Sequence, residues 1–534
     1  MLSPGITITQ PSAVYRRHRV DKNQHSLAWQ GTGSMSRISK MFGDQRNGRI
    51  NMTQTDLPVY KDDLFVNRDK EIETVTKALE NIARGDAEQV RIIVFQGERG
   101  LGKSWLALHL HRSVLKQTSS DPPPAYRILS LLICLTPPPE RLQEGEREWY
   151  IPNNDISQIA SGDEQYYEHL LQNLLAWVAE QLGIVRTPYA SLRDLSAWLA
   201  QDVRKKLESE QNLIICLILD SVFEANRGFL DYLERYLLAA FAALPRVLII
   251  MTGRGRPYLW KSPYLRIERE DQSLTPFSLE QVAEQIKKSL QKSSQGSSQG
   301  SSQESPQGTP QESPHDTSIA ANLSDEEIRQ LAEKLARKVI NLGGGYPLTN
   351  ELLARALVHQ VLGRSPKSDD LEQAINSATI DDKVLEYVAS RLLEVIPAQW
   401  RDKLREVLNA LCVLKDGFRE HEMPYFLAEL RDTKPEGPEY TITAMRGLRD
   451  LLLETNLGRW QDARYVLDEA VRTVLEQLLK LQKREVWQRL HERAANLYED
   501  WAKRYPNSRQ YFEQRAAYHR RVLAEDVGHS VSFA

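Results

Sequence analysis

Gly97-Glu98-Arg99-Gly100-Leu101-Gly102-Lys103-Ser104 decides the fold, because it satisfies G-x-x-x-x-G-K-[ST] without a mismatch. A loop that wraps phosphate must turn consecutive backbone N–H groups toward the anion, and glycines permit that approach. The helix that follows adds the positive end of its dipole. Lys103 then reaches the outer phosphates, and the Ser104 hydroxyl is a ligand for Mg²⁺. The motif carries weight only between a strand and a helix. Here Arg91–Gln96 (RIIVFQ) is a short apolar, β-branched run, and Lys103–Lys116 reads as a helix with Trp105 on its first turn. ATP or ADP is therefore the expected ligand, with Gly97, Gly100, Gly102, Lys103, Ser104 and Trp105 at the nucleotide.

Outward from the loop the pattern keeps alternating. Ile128–Leu135 (ILSLLICL), Leu213–Leu219 (LIICLIL) and Val247–Met251 are continuous apolar runs, separated by the amphipathic stretches Gln165–Gln181 and Leu192–Leu207. Unbroken apolar strands between helices predict a parallel sheet covered on both faces. From Leu323 onward the signal is almost wholly helical, ending in Trp487–Ala502 and Arg509–Val522 around the Pro506-Asn507-Ser508 turn. The expected fold class is α/β, a P-loop NTPase parallel sheet covered by helices, followed by an all-α helical domain, a winged helix and a C-terminal helical hairpin.

A phosphate loop needs a carboxylate for the metal at the end of a neighbouring strand. Asp220 closes the run 213–219 and is the candidate, holding Mg²⁺ together with Ser104. Glu224, one turn on, is a candidate for orienting the attacking water, with a solvated loop carboxylate as the alternative.

Composition excludes several other classes. Among 534 residues, 69 Lys+Arg oppose 72 Asp+Glu, a formal charge of −3, so no whole-protein field draws in nucleic acid or an anionic membrane. The three cysteines, Cys134, Cys216 and Cys412, lie far apart inside apolar runs and make neither a disulfide framework nor a CxxC metal site. No apolar stretch reaches 18 residues and the N-terminus lacks an apolar signal core, so a cytoplasmic protein without a membrane partner is expected. Two segments are expected to be disordered: the basic tail 1–55, +6 to Asn51, and the tract 291–318 with its SSQG-type repeats. The tail leaves open a basic arm for nucleic acid.

In order along roughly 62–475 the sequence resembles the STAND NTPases, the NB-ARC and NACHT branch of the AAA+-like P-loop ATPases. Phe65-Val66-Asn67-Arg68-Asp69-Lys70-Glu71 looks like the entry motif F-V-G-R-E, with Asn67 in place of the usual glycine. The resemblance implies that Val66 and Arg68 border the adenine. Leu219–Glu224 (LDSVFE) is similar to the L-D-D-V-W-E strand end, with Ser221 replacing the second acid, which weakens hydrolysis. Val247–Arg254 (VLIIMTGR) resembles the sensor strand, implying that Thr252 and Arg254 face the γ-phosphate. Arg256 is an alternative to Arg254. Gly344-Gly345-Tyr346-Pro347-Leu348-Thr349 looks like G-x-P-L, whose proline packs on adenine, so Pro347 carries that role. Trp400–Leu475 resembles the family's winged helix, but Val466-Leu467-Asp468 stands where the family often has Met-His-Asp, so the histidine contact to ADP is missing.

The implied domains are a nucleotide-binding domain 56–275, a helical lid 276–397, a winged helix 398–475 and a TPR-like hairpin 476–534. The implied function is an ATP/ADP switch or scaffold, with Lys103, Asp220, Glu224 and Arg254 as the catalytic set of at most a weak ATPase. It homo-oligomerises when active and acts with a separate effector or sensor protein, since one or two hairpins are too few for a solenoid. The alternative is a DNA-binding, ATP-dependent regulator using the winged helix and the basic arm, for which only Arg446 and Arg449 would face phosphate.

Overall fold

In the computed structural model of the chain the described residues are 60–531, apart from 87–88, 116–125, 137–144, 152–163, 186–190, 255–257, 296–323, 363–370, 395, 456 and 462–463. The chain divides into two units after Thr55, and every described residue belongs to the second. The basic tail, the repeats from 296 on and Arg256 lie outside the described residues.

Helix α1 (Asp69–Arg84) leads into β1 (Ile92–Gln96), the phosphate loop and α2 (Lys103–His109), which continues as a π-helical turn, Leu110–Val114. Strands β2 (Arg127–Cys134) and β3 (Glu148–Tyr150) precede α3 (Glu164–Gln181) and α4 (Leu192–Ser209). Then come β4 (Leu213–Asp220), α5 (Arg227–Leu233), α6 (Ala239–Ala242), β5 (Val247–Gly253) and β6 (Arg269–Ser273). The six strands lie in the order β3-β2-β4-β5-β1-β6 and every pairing is parallel. β1 therefore sits beside β5, which sits beside β4, and their carboxyl ends bring the loop, Gly253 and Asp220 to one edge.

Alternate residues of each central strand feed two separate cores. Ile92 and Val94 of β1 join Leu213, Ile215, Leu217 and Leu219 under α3, α4 and α5. Ile93 and Phe95 join Ile214, Cys216 and Ile218 under α1 and α2. This two-sided burial is why the strands read as continuous apolar runs. All three cysteines are free and buried, as expected.

The remainder is helical apart from one hairpin. α7 (Leu279–Gln295), α8 (Asp325–Gly343), α9 (Pro347–Leu362), α10 (Leu371–Ser377) and α11 (Asp382–Leu392) come first. The low-complexity boundary at 291 requires correction, because 291–295 complete the last turn of α7. That helix is anchored by Val282, Ile286 and Leu290. α8 starts at a capping box in which Ser324 and Glu327 satisfy each other's backbone N–H. Next are α12 (Ala398–Leu411), α13 (Met423–Arg431), α14 (Ile442–Glu454) and the antiparallel hairpin β7 (Gly458–Gln461) and β8 (Arg464–Leu467). α15 (Glu469–Gln482), α16 (Arg484–Arg504) and α17 (Arg509–Val531) complete the chain.

α16 and α17 pack through Tyr498, Trp501 and Phe512, and beside them His519 Nδ1 lies 2.9 Å from His491 Nδ1. One nitrogen must donate and the other accept, so the accepting ring is neutral. Burial, then His491 and Arg515, push the His519 imidazole down to about 2. Its folded value lies below the unfolded one of about 6.5, so acid favours the unfolded chain. The stability contribution is complete above about pH 6.5 and is lost on falling below it, by up to about 1.4 kcal/mol per pH unit. Thermal melts from pH 7.5 to 5.5 are expected to show a falling midpoint, with a smaller slope in His519→Leu.

Candidate functional site

The loop leaves β1 at Gly97 and enters α2 at Lys103, with Gly100 and Gly102 at φ +79° and +84°. A Cβ at Gly100 would also lie 3.3 Å from the Leu348 Cβ, so this glycine answers both to backbone angle and to a close neighbour. Lys103 is buried, and its Nζ donates to Gly97 O at 3.0 Å and Glu98 O at 2.7 Å. Burial lowers its ammonium to about 8, with Glu224 opposing that shift. Ser104 is exposed at the mouth of the loop, while half-buried Trp105 meets Tyr60 edge-on at 5.5 Å.

Asp220 is buried at the end of β4, and its Oδ1 accepts from the Thr252 hydroxyl of β5. Ser221 Oγ donates to Asp220 Oδ2 at 3.3 Å. The ends of β4 and β5 are thus joined side chain to side chain. Glu224 lies in a 3₁₀ turn, Val222–Glu224, and pairs with Arg254 at 3.3 Å. Burial raises the Glu224 carboxyl and Arg254 opposes the rise. Its Oε2 is buried with no hydrogen-bond partner among the described residues, an acceptor that a hydrated cation or ordered water beside the loop would satisfy. The donor set therefore fits a phosphate with Mg²⁺.

The entry motif is tied to the loop. Asn67 and Arg68 have φ +61° and +78°, both left-handed, an angle that asparagine tolerates and that a bulkier arginine adopts rarely. Arg68 is buried and donates to Leu101 O at 2.7 Å and Thr275 O at 3.1 Å, lying 5.0 Å over the Phe277 ring. Its guanidinium thus spends these bonds on backbone. Val66 is buried beside it. Pro347 opens α9, and its carbonyl accepts from Gln285 at 2.8 Å.

Residues that sequence reasoning did not name as site residues complete the surroundings. Leu348 N donates to Gly100 O at 3.2 Å, and the turn before it needs Gly345 at φ +77°, because a Cβ there would stand 2.5 Å from Phe277 O. Arg99, buried and lowered by that burial to about 10, donates to Leu392 O at the end of α11 at 2.5 Å. Glu98 accepts from Tyr346 Oη at 2.8 Å and pairs with Arg459 of β7. Asp468, buried, caps α15 through Val471 N at 3.2 Å and faces Arg99 and Arg254. The variable positions of a phosphate loop carry no motif, so only the three-dimensional neighbours of Glu98 and Arg99 reveal their use.

No family profile matches the chain, and no curated protein matches it in sequence. Solved structures that match the chain include C. elegans PCH-2, at 16% identity over 62% of this chain and 72% of that one, TM-score 0.35. The Aeropyrum pernix ORC1 protein in complex with DNA matches at 15% identity over 79% and 94%, TM-score 0.37. Drosophila ORC bound to DNA matches at 11% over 78% and 95%, TM-score 0.37. Likeness at this level carries no argument about function. The class is that of an α/β fold with a parallel sheet surrounded by helices and followed by helical segments.

Proposed function

We propose that the chain is an ATP/ADP-binding switch or scaffold of the STAND class, with slow hydrolysis, nucleotide-dependent rearrangement of its downstream domains and homo-oligomerisation, acting with a separate effector or sensor protein. The observation that carries this reading is the grip of downstream elements on the phosphate loop. Gly100 O is held by Leu348, Arg99 by α11 and Glu98 by β7. Whatever enters the loop must therefore act on these contacts, and only such differential contact shifts a conformational equilibrium.

In this reading Lys103 and the loop N–H groups bind the phosphates, Ser104 and Asp220 hold Mg²⁺, and Val66, Arg68, Trp105 and Pro347 flank the base. Magnesium supplies charge neutralisation at the outer phosphates. Thr252 orients Asp220, and Arg254 is the cation for the γ-phosphate. Slow turnover is supported by Ser221 in place of a second acid and by Glu224 being paired with Arg254. A duplex-binding role is less well supported: Arg449 is committed to Glu420 and to Asp450 at 2.5 Å, and Arg459 to Glu98. The test is to denature the purified protein, identify released nucleotide, and follow ATP turnover and mass. Bound ADP or ATP with slow turnover and an ATP-dependent mass increase is expected; rapid turnover, or no nucleotide and an unchanged mass, contradicts the switch.

A further inference from the structure

Glu98 is a carboxylate set inside a loop that exists to bind anions. Its two oxygens are taken by two downstream elements: Oε1 by the Arg459 guanidinium of β7, and Oε2 by the Tyr346 hydroxyl at 2.8 Å. Arg459 Nε also donates to Gln461 Oε1 at 3.0 Å, which fixes the guanidinium along the strand. The pair is mostly shielded, with Glu98 22% and Arg459 29% exposed. A like charge close to a phosphate disfavours its binding, and the more so away from bulk water. The G-x-x-x-x-G-K-[ST] pattern leaves this position open, so a carboxylate here adds negative charge to the loop unless it is neutralised from elsewhere. Arg459 does this, and it comes from a hairpin more than 300 residues away in sequence.

We infer that Arg459 is a positioning residue of the phosphate site: it neutralises Glu98 and so makes tight phosphate binding conditional on the β7–β8 hairpin lying against the loop. The inference rests on the reading of Gly97–Ser104 as a nucleotide site. With the hairpin docked, the loop offers the phosphates its N–H groups and Lys103. With the hairpin released, Glu98 stands as an uncompensated carboxylate in the same loop. Coupling of this kind is reciprocal, so bound nucleotide also favours the docked hairpin. Tyr346 does not replace Arg459, because a hydroxyl donor leaves the charge in place. Docking has a second, apolar component, since Ala470 just beyond β8 belongs to the core that includes Leu101 and Tyr346.

The experiment measures affinity and release rate for a fluorescent ADP analogue with the full chain, in wild type, Arg459→Met, Glu98→Gln, the double variant and Arg459→Lys. Arg459→Met is expected to weaken binding roughly three- to tenfold, the span of a half-buried ion pair, and to lose much of this defect in high salt. Glu98→Gln is expected to bind at least as tightly as wild type. The double variant is expected to return to the Glu98→Gln value, and Arg459→Lys to keep most of the wild-type affinity. A purely structural role for Arg459 would not be rescued by removing Glu98. Wild-type affinity in Arg459→Met, or a double variant as weak as Arg459→Met, overturns the inference. If Arg459→Met fails to fold, Glu98→Gln and Arg459→Lys decide: weaker binding by Glu98→Gln overturns it. Failure of the wild type to bind ADP overturns the nucleotide reading and this inference with it, whereas wild-type binding with no change in the variants overturns this inference alone.

Discussion

Lys103→Ala is expected to lower nucleotide affinity by about two orders of magnitude or more while the unliganded protein melts no earlier than wild type. The ammonium lies buried in the loop, held by two backbone carbonyls rather than by a bonded carboxylate. Burial brings it to about 8 against an ordinary value of 10.5. Because the folded value is the lower one, the cost is largest below pH 8 and disappears as pH rises toward 10.5; at neutral pH it is roughly 3 kcal/mol. A phosphate offsets that cost, so the charge is an expense in the free protein and an asset in the complex. Alanine removes both. Titration calorimetry with ADP and ATP reads the first effect, and melting curves with and without nucleotide read the second: the variant loses the ligand-induced rise.

Glu422→Ala is expected to destabilise the C-terminal half by about 3–5 kcal/mol, the cost of stranding a buried charge. Glu422 is fully buried, accepts from Arg419 N at 2.7 Å and pairs with buried Arg464. Arg464 also donates to Gly417 O and to Tyr511 Oη, each at 3.0 Å, and Arg515 of α17 donates to the same carbonyl at 2.7 Å. The site thus fastens the last helix to the helices and hairpin between 398 and 467. Removing only the acid leaves a guanidinium with no counter-charge in that seam. Replacing both partners, Glu422→Met with Arg464→Met, is expected to cost far less, since the desolvation of both ions is avoided. Urea denaturation gives the two values, and a double variant as unstable as Glu422→Ala would contradict the argument.

The central sheet was legible because each strand buried on both faces announces itself as an unbroken apolar run, as at Leu213–Leu219. The sheet margins were not. β6 is Arg269-Glu270-Asp271-Gln272-Ser273, an edge strand with no apolar residue, and β3 spans only Glu148–Tyr150. Both are held by backbone pairing to a neighbour, which leaves no periodicity in side chains. α3, α4 and α16 ended within a turn of their expected limits, whereas α17 runs to Val531, nine residues past the expected Val522, and α2 ends in a π-helical turn. At the candidate site, the adjacency of Asp220 and Thr252 follows from parallel pairing of neighbouring strands. Glu98, Arg99, Tyr346 and Arg459 were missed because their meaning lies in contacts across hundreds of residues. Arg68 was singled out by its motif, but the bonds of its guanidinium to the carbonyls of Leu101 and Thr275 carry no pattern and are seen only in the structure.

The central claim is that the nucleotide in the loop controls the attachment of the downstream elements. Hydrogen exchange tests it most directly, comparing the purified full chain with ADP and with ATP plus Mg²⁺ over the turn 344–349, the end of α11 and the hairpin 458–467. The account predicts that these three segments change protection together between the two nucleotides, while β2 and β4 stay constant. Identical exchange of all three segments in the two states, with both nucleotides bound, would contradict it.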